Sequence, residues 1–340
     1  MTPRLADVAV KAGVSEATVS RVLNDKAGVS PATRQAVLAA LDILGYERPP
    51  RLQQRSAGLI GLITPELDNP IFPAFAQVIE KQLSQRGFTA VLCTQVPGGV
   101  TEDGFTDVLI ERGVAGIIFV SGLHADSTAD IERYNRLAAR QLPIVLINGY
   151  QPGVSAPFIS TDDRAAVRLA VTHLVSLGHE RIGLAVGPRR FVPVVRKLES
   201  FQRCLHVQLG IEDSSDLVEH AFFSVEGGRA AATALAGRGC TAVICGSDLM
   251  ALGAIRAFRD LGRSVPGDLS VIGFDDSPLV AFTDPPLTTV RQPVAAMGTA
   301  AVQMLLDAIA GVPGPKSEFV YQPELVVRGS TGSGPRVRAR

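Results

Sequence analysis

The chain has 340 residues, and its 33 Lys plus Arg balance 33 Asp plus Glu, so bulk charge indicates no particular partner. With 46% apolar and 19% charged residues, the composition is that of a globular protein and excludes a disordered or fibrous one. One core stops growing at about 250–300 residues, so more than one domain is expected. The most apolar stretch, residues 115–120, is far shorter than the roughly 20 residues of a membrane helix, and the charged amino terminus is unlike a signal peptide. We therefore expect a cytoplasmic protein.

Sequence motifs for metal, disulfide or cofactor chemistry are absent. The four cysteines, Cys93, Cys204, Cys240 and Cys245, form no CxxC pair and have no histidines at metal-binding spacing, so they are expected to be buried free thiols. No phosphate-binding loop, HExxH, GxSxG or dinucleotide fingerprint is present. We expect no cofactor, no metal and no catalytic residues.

The balanced charge conceals an excess of positive charge at the amino terminus. Residues 1–55 hold eight basic and five acidic residues, a balance of +3 that leaves −3 for the rest. This segment is the natural place to seek a polyanionic partner.

Residues 1–46 have the pattern of a helix-turn-helix headpiece of three short helices. Gly13 permits a turn after the first helix, Ser15 is placed to cap the second, and Ser30 with Pro31 starts the third. The alternative is a small helical bundle whose hydroxyls serve only as caps.

In such a unit the second helix enters the major groove of DNA with its amino-terminal end against base edges. Arg21 is suited to guanine, Ala17 to a thymine methyl group and Glu16 to cytosine. The hydroxyl and amide side chains near helix starts are suited to phosphates. These are Ser15, Thr18, Ser20, Asn24, Ser30 and Thr33. A DNA-binding protein would be found on the nucleoid.

Beyond a Pro- and Arg-rich linker at residues 47–57, short apolar runs alternate with helical patterns. Seven such runs, at 59–64, 90–93, 116–120, 144–147, 182–186, 242–245 and 270–274, predict parallel strands covered on both faces. Seven strands exceed one comfortable sheet, so residues 58–330 are interpreted as a two-lobed α/β body with a ligand-binding cleft between the lobes. Residues 331–340 are predicted to be a flexible tail.

The headpiece motif at residues 7–24, DVAVKAGVSEATVSRVLN, resembles the signature of the lactose-repressor/galactose-repressor family of bacterial transcription regulators. Further matching segments lie at 44–46, 60–63, 69–72, 177–179, 247–254, 273–276 and 285–290. The resemblance implies a headpiece on a body similar to periplasmic sugar-binding proteins. It also implies a homodimer that binds a palindromic DNA operator and responds to a small sugar effector.

Two departures from the family pattern affect the DNA interface. Arg4 stands where a threonine usually caps the first helix, so the cap is expected from Thr2, and Arg4 is expected to contact a phosphate beside Leu5. The hinge after Tyr46 is about three residues shorter than usual. Leu52 is the candidate for insertion into the minor groove, and the alternative is a basic strap whose arginines meet phosphates.

The resemblance also implies an effector site in the cleft. Asp275 matches a carboxylate that grips the effector, and Lys197 replaces the usual arginine, which keeps the charge but loses the planar fork. The other matching positions are Phe72, Asn148, Thr161, Asp162, Phe223 and Ser247. Phe223 could instead be ordinary core, and His179 is interpreted as structural.

The body is especially similar to actinobacterial regulators of maltose and maltodextrin use, which implies an α-glucoside effector. The main interpretation is a transcriptional regulator, most simply a repressor, of carbohydrate-utilisation genes. The alternative is a sugar receptor or an enzyme on the same α/β body. Steep salt dependence of binding to duplex DNA would distinguish the two.

Overall fold

The computed structural model describes residues 4–24, 26, 28–46, 57–95, 98–312 and 314–335. It forms two compact units that divide between Ala57 and Gly58. The predicted cap at Thr2 and the predicted minor-groove residue Leu52 lie outside the described residues. Within the described ranges, no helix is long and apolar enough to cross a membrane.

The first unit contains the three predicted helices, α1 (Leu5–Ala12), α2 (Glu16–Leu23) and α3 (Pro31–Ile43). Ser15 Oγ accepts from Thr18 N at 3.2 Å, and Ser30 Oγ accepts from Thr33 N at 3.1 Å, so each side chain satisfies an amide at its helix start. The buried residues of the three helices form one small core. They are Val8, Ala9, Val19, Val22, Leu23, Val37, Ala40 and Leu41.

The start of α1 is stabilised from within the helix. Arg4 lies at the N-cap position without a side-chain cap, and its backbone N–H donates to Asp7 Oδ2 at 2.8 Å. Asp7 also places a negative charge in the first turn, where the helix dipole favours it. The side chain of Arg4 therefore does not cap the helix.

The second unit is built from alternating strands and helices. In chain order these are β1 (Leu59–Thr64), α4 (Ile71–Ser84), β2 (Thr89–Thr94), α5 (Glu102–Glu111), β3 (Gly116–Val120), α6 (Glu132–Ala139), β4 (Ile144–Ile147), β5 (Phe158–Thr161), α7 (Asp163–Ser176), β6 (Ile182–Val186), α8 (Val192–Leu209), β7 (Val218–His220), α9 (Val225–Gly237), β8 (Ala242–Cys245), α10 (Asp248–Asp260), β9 (Ser270–Asp275), β10 (Thr288–Arg291), α11 (Val294–Ile309), β11 (Glu318–Tyr321) and β12 (Glu324–Val326).

These elements form two lobes, each around a six-stranded sheet. Lobe 1 has the strand order β11-β5-β4-β3-β1-β2 and is parallel throughout. Lobe 2 has the order β12-β10-β9-β8-β6-β7, in which only β12 is antiparallel. Helices cover both faces, which explains why strands such as β3 are buried at every residue. The two-lobed α/β fold expected from the sequence is confirmed.

The chain passes between the lobes three times. The crossings follow β5, β10 and β11, at residues 162, 292–293 and 322–323. Lobe 1 therefore acquires α11 and β11 only after the chain has built most of lobe 2. These three connections are the covalent links between the lobes, and segments of this kind are where hinge motions between lobes occur.

Two parts of the second unit differ from the sequence expectation. Five strands, β5, β7, β10, β11 and β12, were not predicted, because they are three or four residues long and carry Ser, Thr or charged residues. Residues 331–335, predicted as the start of a loose tail, are held on lobe 2: Gly332 N donates to Ser270 Oγ at 3.0 Å and Gly334 N to Leu177 O at 2.8 Å. Backbone hydrogen bonds thus order a segment that has no apolar run.

Candidate effector site and DNA-contacting face

The cleft between the lobes contains a cavity of about 420 Å³, within the range of about 300–1,000 Å³ usual for small-molecule sites. Residues at the carboxyl ends of β3, β4, β8 and β9 face it, as expected for parallel sheets. Its lining comprises Pro65, Glu66, Asn69, Ile71, Phe72, Ser121, Ala125, Asn148, Asp163, Pro188, Arg190, Phe191, Pro193, Val194, Lys197, Phe222, Phe223, Ser224, Gly246, Ser247, Phe274, Asp275 and Gln292.

Asp275 is a buried carboxylate at the end of β9, with a positive φ of 119°. Gln292 Nε2 donates to Asp275 Oδ1 at 2.7 Å, and Thr161 Oγ1 donates to Gln292 Oε1 at 2.7 Å. Burial and the neighbouring Asp248 carboxylate raise the pKa of Asp275 well above its ordinary value. The strained backbone and the hydrogen-bond chain fix one carboxyl group at the cavity wall, where it can accept from ligand hydroxyls.

Lys197 supplies a basic side chain to the same cavity. It lies in the second turn of α8, forms an ion pair with Asp163 at the start of α7, and places its Nζ 4.0 Å from the ring centroid of Phe274. Burial raises the pKa of Asp163, while the charges of Lys197 and Arg196 oppose that rise. The cavity thus presents donors and acceptors close together, the combination that polyhydroxyl ligands need.

Five phenylalanines, Phe274 among them, give the cavity an apolar surface. Phe223 approaches the backbone so closely that a Cβ on Gly187 would lie 2.2 Å from its ring, so a larger residue there would require the ring to move. Its centroid is 6.4 Å from that of Phe191, and Phe72 and the exposed Phe222 also line the cavity. Phe223 packs on the lobe-2 core while one side of it lines the cavity, so both interpretations of it apply.

Ser121 and Asn148 line the lobe-1 side with backbone conformations that favour glycine. Their φ angles are 48° and 64°, and Asn148 Nδ2 donates to Ser121 Oγ at 3.1 Å. On the lobe-2 side, Ser247 caps α10 by accepting from Met250 N at 3.3 Å. Strained polar residues that converge on a cavity are typical of binding sites.

Two loops join the lobes at the edge of the cavity. Ser127 of lobe 1 donates through N and Oγ to the carbonyl of Arg190 of lobe 2, at 2.8 and 2.7 Å. Arg190 Nε returns a hydrogen bond to Asp126 Oδ2 at 2.8 Å, and its guanidinium lies 4.7 Å from the centroid of the Phe191 ring. Arg190 is thereby held as part of the cavity wall.

Six of the eight sequence-predicted effector residues line this cavity: Phe72, Asn148, Lys197, Phe223, Ser247 and Asp275. Two do not. Thr161 is buried behind the wall and acts through Gln292, and Asp162 caps α7 by accepting from Ala165 N at 2.8 Å. The next residue, Asp163, faces the cavity instead.

Sequence reasoning missed several lining residues of evident chemical use. They are Asn69, Asp163, Arg190, Phe191 and Gln292. Residues 162 and 163 are both aspartates, so either could have been the cavity residue. Because aspartate is favoured at the position just before a helix, Asp162 could have been recognised as the cap of α7. Nothing in the sequence pattern points to Gln292, because it lies in an interlobe connection.

Other residues weighed from the sequence have structural roles. His179 is buried, with Nδ1 2.9 Å from Thr241 Oγ1 and Nε2 2.9 Å from Ser270 Oγ. Arg196 faces away from the cavity and pairs with Glu318. The four cysteines are free thiols, three of them buried.

On the first unit, α2 presents the residues expected to contact bases. Glu16, Ala17 and Arg21 are exposed and Ser20 is half-buried, while Val19 and Val22 point into the core. Several side chains expected to bind phosphates already have local partners, since Ser15 and Ser30 cap helices with the aid of Thr18 and Thr33, and Asn24 Nδ2 donates to Ser20 O at 2.8 Å. Arg4 is exposed and Leu5 half-buried at the start of α1.

Comparisons with known proteins identify both units. Residues 4–49 match the family model described as bacterial regulatory proteins, lacI family, and residues 171–331 match a periplasmic binding protein-like domain. The chain is 67% identical over its whole length to the HTH-type transcriptional regulator MalR of Streptomyces coelicolor, which it covers completely. It is equally similar to the regulator reg1 of Streptomyces lividans, again over all of both chains.

The chain belongs to the lacI family of bacterial regulatory proteins. Solved structures agree: a CelR–cellobiose complex shares 31% identity and a TM-score of 0.71 over 96% of this chain and 99% of that one. A lac repressor dimer bound to operator and the anti-inducer ONPF shares 28% identity and a TM-score of 0.70, covering 98% and 100%. The regulator is a DNA-binding transcription factor rather than an enzyme, since the relatives matched over its whole length are transcriptional regulators.

The raised pKa of Asp275 predicts a cost to stability at neutral pH. Because the unfolded carboxyl ionises at about pH 4 and the folded one at higher pH, the free energy of unfolding falls as pH rises through this interval. Asp275→Asn removes that loss. Its Tm should exceed that of the unsubstituted protein at pH 8 and match it at pH 4, as measured by calorimetry. An equal difference in Tm between the two proteins at both pH values would contradict a raised pKa of Asp275.

Proposed function

We propose that the regulator controls carbohydrate-utilisation genes, as a repressor whose operator affinity is altered by an α-glucoside such as maltose or a maltodextrin. The observation that carries this proposal is the convergence of six expected effector residues on one interlobe cavity, which Asp275 and Lys197 line together with five phenylalanines. The similarity to the regulator MalR and to the CelR–cellobiose complex supports a glucose-based ligand.

In the proposed complex, polar residues of the cavity bind the sugar hydroxyls and phenylalanines contact its apolar ring faces. Asp275 accepts from sugar hydroxyls, and the amide of Asn148 can donate to them or accept from them. Lys197 donates to an oxygen without the directionality of an arginine fork. Phe223 and Phe72 cover the apolar ring faces. Ser247 and Asp163 complete the polar contacts, whereas Thr161 and Asp162 contribute by supporting Gln292 and α7.

The proposed DNA-binding domain is the headpiece at residues 1–46, followed by the hinge at 47–57. The exposed face of α2 is its proposed DNA interface. Arg21, Ala17 and Glu16 would contact bases, and Arg4 and Ser20 phosphates. One such headpiece buries little DNA surface, so we propose a homodimer on a palindromic operator, acting in the cytoplasm where that DNA lies.

Lobe-2 side chains offer a contact for such a dimer. Leu279 and Phe282, which follow β9, are 75% and 85% exposed, and α10 lies near them in sequence. On lobe 1, α4 is the corresponding candidate. Sedimentation of the full chain tests the proposal, which predicts twice the monomer mass of 35.8 kDa.

Calorimetric titration tests the effector. The full chain is titrated with maltose, maltotriose, trehalose, cellobiose and glucose, first alone and then with an operator selected from random duplexes. One α-glucoside should bind tightly and change operator affinity, and by reciprocity the operator should change sugar affinity by the same factor. Operator binding with no response to any sugar would refute the proposed ligand and keep the regulator.

Arg21→Ala is expected to weaken operator binding by about 1–3 kcal/mol and to relax specificity at one base pair, because a bidentate contact to guanine is lost. Ser20→Ala serves as the matched control on the same helix and should weaken binding to all sequences alike. Affinities for single-base operator variants at fixed salt measure both effects. Equal losses on every variant in the Arg21 protein would remove its base-reading role.

A further inference from the structure

The pocket-lining start of α8 is held by lobe 1 at two points. Phe191, Pro193, Val194 and Lys197 line the effector cavity, and Val194 belongs to the lobe-2 core. Just before the helix, Arg190 is bound by Asp126 and Ser127 of lobe 1. In the second turn a different lobe-1 contact occurs, at Arg196.

Arg196 and Glu318 form a bidentate ion pair across the lobes. Nη1–Oε1 and Nη2–Oε2 are 2.6 and 2.9 Å, and each side chain is only 15% exposed. Glu318 begins β11, whose Phe319 and Tyr321 pack on the lobe-1 core. Two parallel hydrogen bonds fix angle as well as distance, so this pair constrains how α8 meets lobe 1.

The pair adjoins the charged residues of the cavity. Lys197 follows Arg196 in α8, so the two side chains leave the helix about 100° apart, one toward β11 and one toward the cavity. Lys197 pairs with Asp163, and the charge of Arg196 also acts on that carboxylate. Glu318, Arg196, Asp163 and Lys197 thus form a neutral cluster of alternating sign that connects lobe 1 to the effector site.

We propose that Arg196 and Glu318 are positioning residues for effector recognition: their ion pair sets the angle between α8 and lobe 1, and so places Lys197 and Asp163 in the cavity. The proposal rests on the proposed function insofar as the cavity binds the effector. Neither side chain lines the cavity, so their influence on the ligand is exerted through α8 and the lobe angle.

The lobe angle can be tested without any ligand. Spin labels on cysteines introduced at Glu111 of α5 and Ala230 of α9, both exposed, report the interlobe distance in the full chain after Cys93→Ser. Glu318→Gln should broaden or shift the distance distribution measured by pulsed electron resonance. The control is Glu199→Gln, because Glu199 pairs with Arg164 at 2.8 Å between α8 and α7, within lobe 2 and half-exposed. An unchanged distribution in Glu318→Gln would overturn the proposal.

Ligand binding supplies the second measurement. Titration with maltotriose should show roughly tenfold weaker binding for Glu318→Gln, within the 5–150-fold range usual for coupled sites, and no change for Glu199→Gln. Arg196→Lys, which keeps the charge and loses the fork, should be intermediate, and Glu318→Asp is a second variant if Glu318→Gln folds poorly. If Glu318→Gln lowers the Tm but leaves the distance distribution and the maltotriose affinity unchanged, the Arg196–Glu318 pair contributes to stability alone. If the unsubstituted protein does not bind maltotriose, the proposed effector is wrong. The interlobe distance then still tests whether the Arg196–Glu318 pair sets the angle between the lobes.

Discussion

Asp275→Ala is expected to leave operator binding intact and to abolish the response to effector. Asp275 lines the cavity of the second unit, whereas the proposed DNA contacts belong to the first unit. Removing the carboxylate takes away hydrogen bonds to a charged acceptor worth about 1.5–3 kcal/mol each. Two such bonds lost would weaken sugar binding by about a hundredfold or more. Operator affinity, measured with and without saturating α-glucoside, checks both parts.

The neighbouring carboxylate provides the control. Asp276 does not line the cavity, and its oxygens accept from Arg291 at 2.7 Å and from Arg328 at 2.6 Å. Asp276→Asn should therefore lower stability while the effector response persists. If Asp275→Ala responds to sugar as the unsubstituted protein does, Asp275 does not belong to the effector site.

Gly253→Ala is expected to destabilise lobe 2 strongly. A Cβ on Gly253 of α10 would lie 2.0 Å from Val225 O of α9, and a Cβ on Gly228 of α9 would lie 2.1 Å from Met250 O of α10. The obstacle is backbone, so the helices must separate. Such overpacking costs about 1–3 kcal/mol and occasionally more. Because Ser224 and Ser247 cap these helices and line the cavity, sugar affinity should fall together with Tm.

Gly237→Ala is the matched substitution in the same pair of helices. A Cβ there meets no atom within 4 Å, and the residue is the last of α9. Higher helix propensity should make it neutral or stabilising by up to about 1 kcal/mol. Thermal melts and sugar titrations of the two variants compare them directly. Similar behaviour of both would show that the close approach of α9 and α10 does not limit stability.

Local signals in the sequence were sufficient to predict the headpiece and the apolar strands. Ser15 and Ser30 each precede a helix with a capping hydroxyl, and both caps form. Strands buried on both faces, such as β3, stand out as unbroken apolar runs. Polar strands such as β10 do not, because Thr288 and Thr289 are buried through hydrogen bonds that only the folded chain provides.

The cavity was predictable only where family motifs mark it. Asp275 and Ser247 stand in recognisable segments, whereas Gln292 reaches the cavity because the chain crosses between lobes at that point. The choice between Asp162 and Asp163 depends on which residue begins α7, and sequence patterns locate helix ends only to within a few residues. Long-range pairs such as Arg196 with Glu318 carry no local signal at all.

The three crossings also order events during synthesis. Thr161 of β5 and Tyr321 of β11 are directly paired in the lobe-1 sheet, yet roughly 150 residues separate the two strands along the chain. At about 5–20 residues per second, the ribosome takes some 8–30 s to deliver the missing edge of lobe 1. Until then β5 is an open edge that another nascent chain could pair with. Translation speed through lobe 2 should therefore influence how much of the regulator reaches its native state.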